Sequence, residues 1–533
     1  MTPAKTLARK IFIYDTTLRD GAQAEGITFS LQDKILVARR LDRLGFDFVE
    51  GGYPASNDKD EHFFAQLAES PLKRASLCAF GMTRRKGADA ASDAGIASLV
   101  ASGAPTITIV GKSSAFQVKE VLRASLKENL AMIDETISYL VGKKRRTFFD
   151  AEHFFDGYQA DADYALKAIL AAVNAGAESV TLCDTNGGSM PEEIYAATQA
   201  VVQALAEAGK NSVLVGIHTH NDCGLAVANS LSAVEAGASL VQGTINGFGE
   251  RCGNANLVTI IANLLLKKNG RFTALKPESL ERLTELSRFV DELVNVKPST
   301  RQPFVGRSAF THKGGMHVSG VSRDTSAYEH IAPEKVGNQR RVLVSELSGR
   351  SNIVARTAKF HIDGNKKLLD DILAAVVHKE SQGYYFEAAE ASFDLLVRKA
   401  MGDFHPHFER LSYHTNVASD ENGVLTTMAT VKLKIGELVR LEVAEGDGPV
   451  DALNTAMRKA LHEVFPKLET MSLVDYKVRV LNSEAATAAR VRVVIESKDA
   501  DEVWGTVGVD ENVIEASWIA LCDSIEYKLA KGK

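Results

Sequence analysis

Between residues 11 and 267, short runs of β-branched and aromatic residues alternate with longer stretches whose apolar positions recur at helical spacing. Eight short runs stand out: IFIYD (11–15), FDFVEGG (46–52), ASLCAF (75–80), TITIVG (106–111), TFFDAEHF (147–154), SVTLCDT (179–185), SVLVGIHTH (212–220) and LVQGTINGFG (240–249). They are nearly continuous in apolar residues, as strands covered on both faces are. Stretches such as 30–44, 161–175 and 191–208 read as helices between them. Gly45, Gly103, Gly176 and Gly237 each stand where a helix ends just ahead of a strand, the place of a left-handed cap. Eight strand–helix repeats predict an α/β fold, a (β/α)8 TIM barrel. An open doubly wound sheet leaves the count of eight unexplained.

After residue 270 the pattern changes. Residues 280–295 and 365–399 are mostly helical and flank a Gly-, His- and Arg-rich stretch, 301–351, that contains His312-Lys-Gly-Gly-Met-His317. From about 410 a second α/β pattern begins and repeats itself, Val450-Asp-Ala452 aligning with Ile514-Glu-Ala516. The expected domains are therefore a barrel over 8–275, a helical linker over 276–405 and a C-terminal α/β domain over 406–533 with a duplicated strand–strand–helix unit.

Length and charge narrow the class. A chain of 533 residues exceeds one core. The net charge of -6 argues against a nucleic-acid partner, which calls for a basic surface. Five scattered cysteines without C-x-x-C spacing predict neither a disulfide framework nor structural zinc, and fit a reducing cytoplasm. No apolar run reaches the ~18 residues of a membrane span, so no membrane partner is expected.

In such a barrel the active site lies at the carboxyl ends of the strands. The polar residues fall there: Arg19 and Asp20 after the first strand, Glu50 ending the second, Glu152 in the fifth, Asp184 and Thr185 after the sixth, His218 and His220 in the seventh, and Asn254 after the eighth. His218 and His220, two apart on a strand, share a face. Closure brings strands 7, 8 and 1 together, so Asp20, His218, His220 and Asn254 converge as a divalent-metal cage. H-x-H by itself is more often a pair of hydrogen-bonded rim histidines; the company of Asp20 and Asn254 reverses that reading. Nitrogen and oxygen donors suit Mn, Zn, Fe or Co, whereas Mg requires substrate oxygens and water to complete its shell.

Each remaining candidate has a bland alternative. Arg19 is either a structural partner of Asp20 or Glu50, or the planar fork that binds a substrate carboxylate or enolate oxygen. Thr185 reads as a helix cap, but Ser189-Met-Pro-Glu192 supplies a capping box of its own and frees Thr185 for substrate. Glu152 reads equally as a solvated rim carboxylate and as a catalytic one. Gly111-Lys-Ser113 has Thr106 where a phosphate loop requires glycine, so that motif is rejected. Lys143–Arg146 reads as a solvated turn at the opposite face, and Cys252 as a small packing residue.

D-T-T-L-R-D-G (15–21), H-T-H-N-D (218–222), G-E-R-C-G-N (249–254) and T-H-K-G-G-M-H (311–317) together resemble the metal-dependent Claisen-condensing synthases. These are the 2-isopropylmalate, homocitrate and citramalate synthases, related to hydroxymethylglutaryl-CoA lyase. The resemblance covers nearly the whole chain. Gly21–Gly26 and Val49–Pro54 resemble the citramalate branch, and homocitrate synthases usually carry Glu where Asp20 stands. The resemblance implies condensation of pyruvate with acetyl-CoA as co-substrate, with the same chemistry on 2-ketoisovalerate and the reverse lyase reaction as rivals. It implies that Asp20, His218 and His220 ligate the metal (Mn, Mg, Zn or Co) with Asn254 at or near it. Arg19 then steadies the keto oxygen, Thr185 holds the keto-acid carboxylate, Glu152 and His312 form the base assembly, and Tyr328 approaches the site. It further implies a homodimer and, at the duplicated domain around Gly446–Pro449, an amino-acid effector.

Overall fold

The computed structural model describes residues 8–343, 350–481 and 489–531, so that 344–349 of the Gly-, His- and Arg-rich stretch lie outside the described part. The chain divides into two compact units, Met1–Phe310 with Ile331–Gln339 and Thr311–His330 with Arg340–Lys533. The division falls within the segment expected to be a linker.

In the first unit eight parallel strands close into a barrel: β1 (Phe12–Asp15), β2 (Phe48–Gly52), β3 (Ser76–Met82), β4 (Thr106–Lys112), β5 (Arg146–Glu152), β6 (Ser179–Asp184), β7 (Leu214–Thr219) and β8 (Leu240–Gly243). Closure is made by β8 alongside β1, from Phe12 opposite Leu240 to Asp15 opposite Gly243. Each expected strand is present, with ends trimmed where side chains take over the pairing. β2 begins at Phe48 because the Asp47 carboxylate already accepts the Ile13 amide at 2.9 Å. β7 stops at Thr219 because His220 bridges to Asn254 instead.

Alternation along the strands sorts side chains into two layers. Ile13, Val49, Ala79, Phe149 and Val241 pack outward in the main core with the surrounding helices. Tyr14, Phe48, Cys78, Phe148 and Leu240 form a separate cluster inside the barrel, with the Phe48 and Phe148 rings edge to face at 5.0 Å. This apolar plug is the floor of the site. One step further along these strands the inward positions turn polar, with Glu50, Asp150 and Gln242, and His218 of β7 stands beside them.

The helices end where the chain said they would. Gly45, Gly103, Gly176 and Gly237 all have positive φ, which a Cβ disfavours. The helix Leu31–Leu44 is opened by a capping box between Ser30 and Asp33. At the helix Pro191–Glu207 the expected cap is displaced by one residue: the Met190 amide donates to Glu193 at 2.8 Å, and the Ser189 hydroxyl donates to Asp184 at 2.8 Å.

The second unit contains two antiparallel three-stranded sheets. β9 (Glu409–Ser419), β10 (Leu425–Ile435) and β11 (Leu438–Gly446) precede the helix Pro449–His462; β12 (Ser472–Val480), β13 (Val491–Lys498) and β14 (Val503–Asp510) precede the helix Val513–Ala530. The duplication holds, and each copy carries one more strand than the expected pair. β9 and β12 are exposed along most of their length; β9 is rich in polar residues and does not read as strand, whereas β12 carries Val474, Tyr476, Val478 and Val480 at strand spacing. Helices Lys366–Ser381 and Glu390–Met401 share a core with Val507 and Val509 of β14. No described helix is long and apolar enough to cross a membrane.

Candidate active site

The turn after β1 is tied before it reaches Asp20. The amides of Arg19, Asp20 and Gly21 all donate to the Thr16 carbonyl, at 2.9–3.1 Å. The Thr17 hydroxyl donates to Asp15 at 2.8 Å and accepts the Ile245 amide at 2.8 Å, linking the exits of β1 and β8. On the other side the Asn221 amide donates to the Gly253 carbonyl at 2.8 Å. Gly249 passes so close to Asn254 that a Cβ would lie 1.7 Å from its Oδ1, which explains the first glycine of the Gly249–Asn254 motif.

These ties bring Asp20, His218 and His220 together with one candidate ligand atom each, all within 4.8 Å of one another and all buried. Asn254 completes the group: its Nδ2 donates to Asp20 Oδ2 at 2.7 Å and lies 3.3 Å from His218 Nε2. His218 Nε2 lies 3.3 Å from His220 Nε2 and 3.2 Å from Asp20 Oδ2. Behind the cluster, Gln242 Nε2 donates to Asp150 at 2.9 Å and to Thr181 at 3.2 Å. Its Oε1 is thereby turned to His218 Nδ1 at 2.9 Å, placing a proton on Nδ1 and aiming Nε2 at the cluster.

Electrostatics favour a cation here. Burial pushes the Asp20 carboxyl up, but Arg19 and His218 outweigh it and hold it well below the usual carboxylate range. Burial and the neighbouring His218 bring His220 down to about 4, so it is a neutral imidazole at physiological pH. Burial lowers His218, yet Asp20 outweighs it and leaves the ring above its ordinary value. A cation would take the place of that proton. Asn254 Oδ1 and His220 Nδ1 are buried without a hydrogen-bond partner. One carboxylate and two imidazoles fit a divalent ion, and the Asn254 amide, whose nitrogen faces Asp20 and His218, would offer its oxygen only on turning over.

Arg19 stands beside this set. Its Nε donates to Glu50 at 2.6 Å, its NH1 lies 3.3 Å from Asp20, and its guanidinium lies over the Phe80 ring at 3.9 Å. Glu50, fully buried, also accepts from the Tyr14 hydroxyl at 2.7 Å. The structural and the binding readings of Arg19 are thus compatible: Glu50 and Phe80 fix one edge of the fork and leave it lining the pocket.

The pocket at the barrel mouth is lined by Arg19, Asp20, Glu152, Thr185, His218 and His220. Thr185 Oγ1 accepts the His153 amide at 2.8 Å, which leaves its own proton to be donated. Lys112, Asp150, Phe80 and Met82 also line the pocket and were missed in the sequence. Their signal was the two-residue alternation from the plug upward: Thr108, Val110 and Lys112 on β4, and Phe148, Asp150 and Glu152 on β5. Burial, with the charge of Glu50 added, raises Asp150 to about 7. Cys252 is exposed, so the packing role expected for it is not its role.

His312 and Tyr328 belong to the second unit. There Thr311–His312 pairs with Arg341–Val342, and His312 Nε2 lies 3.1 Å from Glu329. Arg340 grips the same Glu329 with two bonds of 2.6 Å. Tyr328 stacks on His317 with centroids 4.1 Å apart.

Residues 10–290 match the HMGL-like family, 304–383 the homocitrate synthase post-HMGL domain-like family and 387–529 the LeuA allosteric (dimerisation) domain. The chain belongs to the HMGL-like family, and its barrel is that of an enzyme. It is 50% identical to an (R)-citramalate synthase of Synechocystis over 98% of this chain and 97% of that one, and 48% identical to an (R)-citramalate synthase of Aquifex aeolicus over 98% and 99%. It is 31% identical to a probable 2-isopropylmalate synthase of Methanopyrus kandleri over 95% and 96%.

Proposed function

We infer that this chain condenses the acetyl group of acetyl-CoA with pyruvate and releases CoA and (R)-citramalate, a product that feeds isoleucine biosynthesis. One coincidence carries the reading: full-length likeness to citramalate synthases, well above that to a 2-isopropylmalate synthase, in a chain whose barrel mouth keeps its acid–imidazole–imidazole set. Asp20, His218 and His220 hold a divalent cation, with Asn254 beside it. When bound, that ion supplies Lewis-acid polarisation of the keto group.

The rest of the chemistry belongs to the side chains. Arg19, oriented by Glu50, donates to the keto oxygen and stabilises the charge that develops there. The Thr185 hydroxyl donates to the keto-acid carboxylate. Glu152 takes a proton from the acetyl methyl group. On family resemblance His312 joins Glu152 in the base assembly and Tyr328 stands near the reacting atoms, in a homodimer. Hydrolysis of the thioester afterwards makes the condensation irreversible.

The direct assay follows CoA release with acetyl-CoA and, in turn, pyruvate, 2-ketobutyrate, 2-ketoisovalerate and 2-ketoglutarate. Pyruvate is expected to be fastest, and exhaustive chelation to abolish turnover. Equal turnover with 2-ketoisovalerate would refute the substrate assignment. The duplicated C-terminal units are proposed to bind isoleucine, with leucine as the alternative effector. Millimolar isoleucine should then lower turnover of the full-length enzyme, whereas insensitivity to both would leave this domain with dimerisation alone.

A further inference from the structure

Lys112 has no part in the reaction as described so far. It ends β4 directly opposite Glu152, its register partner on β5, and its ammonium pairs with the Glu152 carboxylate. The surrounding backbone is held on both sides. The Ser113 hydroxyl and amide donate to the Glu152 carbonyl at 2.8 and 3.2 Å. Asn129, fully buried, donates to the Lys112 carbonyl at 2.8 Å. Lys112 and Glu152 are 15% and 26% exposed and line the same pocket as Arg19 and Thr185.

Among the described residues, three arginine or lysine side chains line this pocket. Arg19, held by Glu50 and Asp20, is the one assigned to the keto oxygen. Arg251 is committed to Asp222, at 2.7 and 3.0 Å, and to the Thr185 carbonyl at 2.9 Å. The third, Lys112, has as its counter-ion the one carboxylate assigned to take a proton. Its charge is therefore released at the moment of proton transfer.

We propose that Lys112 is a catalytic residue whose ammonium donates to the thioester carbonyl oxygen of acetyl-CoA as the enolate forms; this rests on the reading of Glu152 as the base. In the step, a methyl C–H bond breaks and the proton goes to a Glu152 carboxylate oxygen. The C–H electron pair becomes the enolate C=C bond, and the carbonyl π pair becomes a lone pair on the thioester oxygen. Glu152 loses its negative charge as that oxygen gains one, so the ammonium exchanges one counter-charge for another without being left unpaired. Such a donor acts where charge develops in the transition state, in a site whose walls are already fixed. When the enolate carbon attacks the keto carbon, the thioester C=O re-forms and the charge passes to the keto oxygen, within the reach of Arg19. An ammonium on a flexible stem can follow the charge from one oxygen to the other, which a rigid guanidinium fork does less well.

The test uses the full-length enzyme with Mn2+ and two variants, Lys112→Met and Lys112→Gln. Three quantities are read: kcat and KM for each substrate, the isotope effect with methyl-deuterated acetyl-CoA, and Mn2+ affinity by calorimetry. Lys112→Met should lower kcat by about 100-fold, the scale of losing one oxyanion donor. Its isotope effect should rise because enolisation now limits the rate, with the pyruvate KM and Mn2+ affinity staying within about threefold of wild type. Lys112→Gln, which keeps a neutral donor, should fall between. Turnover of Lys112→Met within about threefold of wild type, an unchanged isotope effect, or a parallel loss of Mn2+ affinity would overturn the assignment. A wild-type enzyme that releases no CoA with pyruvate would instead sink the citramalate reading itself.

Discussion

Gln242 shows how much of the site is decided by a residue that touches no substrate. Its amide nitrogen is consumed by Asp150 and Thr181, so its oxygen has one use left, to accept from His218 Nδ1 and present Nε2 to the ligand cluster. Gln242→Leu removes that acceptor while roughly keeping volume, and outer-shell losses of this kind typically cost 10–100-fold in metal affinity, as order-of-magnitude values. Calorimetric Mn2+ titration should show a drop of about that size, with circular dichroism unchanged; wild-type affinity would mean that the tautomer is fixed by something else. The convergence of Asp20, His218 and His220 was readable, because Asp20 and H-x-H lie in compact motifs. Gln242 was not, because nothing in LVQG marks one amide as facing inward until the strand register is known.

At the level of elements, the strand phase governs both fold and site. All eight strands were legible as apolar runs. Which residues met was legible where motif positions shared a strand, as with His218 and His220, or sat at the ends of strands that closure makes neighbours, as with Asp20 and Asn254. Lys112 and Asp150 lie on the inward phase of β4 and β5, but that phase requires knowing that Phe148 fills the barrel and Phe149 packs outside it. The extra strand β9 is masked by its polar, exposed residues, whereas the alternation of Val474, Tyr476, Val478 and Val480 in β12 is legible but lies ahead of the stretch that the duplication marks.

The joint between β1 and β8 carries a titratable group of its own. Burial raises Asp15 to about 7, against the hydrogen bonds from Thr17 that lower it. A folded-state value above the unfolded one means that the native barrel binds the extra proton between about pH 4 and 7. Stability is thus greatest at the acid end of that window and falls as pH rises through it, by at most about 1.4 kcal/mol per pH unit for one group. Asp15→Asn removes this linkage. Its thermal midpoint should fall less between pH 5 and 8 than that of the wild type, and equal slopes in the two proteins would show that Asp15 is ionised throughout.

For the whole molecule, the question is which keto acid the assembled site selects. One or two methyl groups separate pyruvate from its rivals, a difference worth about 1–3 kcal/mol each in an apolar pocket. Composition cannot resolve such a margin; the motifs Gly21–Gly26 and Val49–Pro54 already resemble the citramalate branch, and full-length likeness to citramalate synthases at 50% and 48% identity, against 31% to a 2-isopropylmalate synthase, favours the same side. The most direct test of the account is the product itself. The enzyme with Mn2+, pyruvate and methyl-13C acetyl-CoA should yield free CoA and a single labelled acid, followed by NMR and resolved by chiral chromatography. (R)-Citramalate is the product predicted; no labelled product from pyruvate, alongside 2-isopropylmalate from 2-ketoisovalerate, would contradict it.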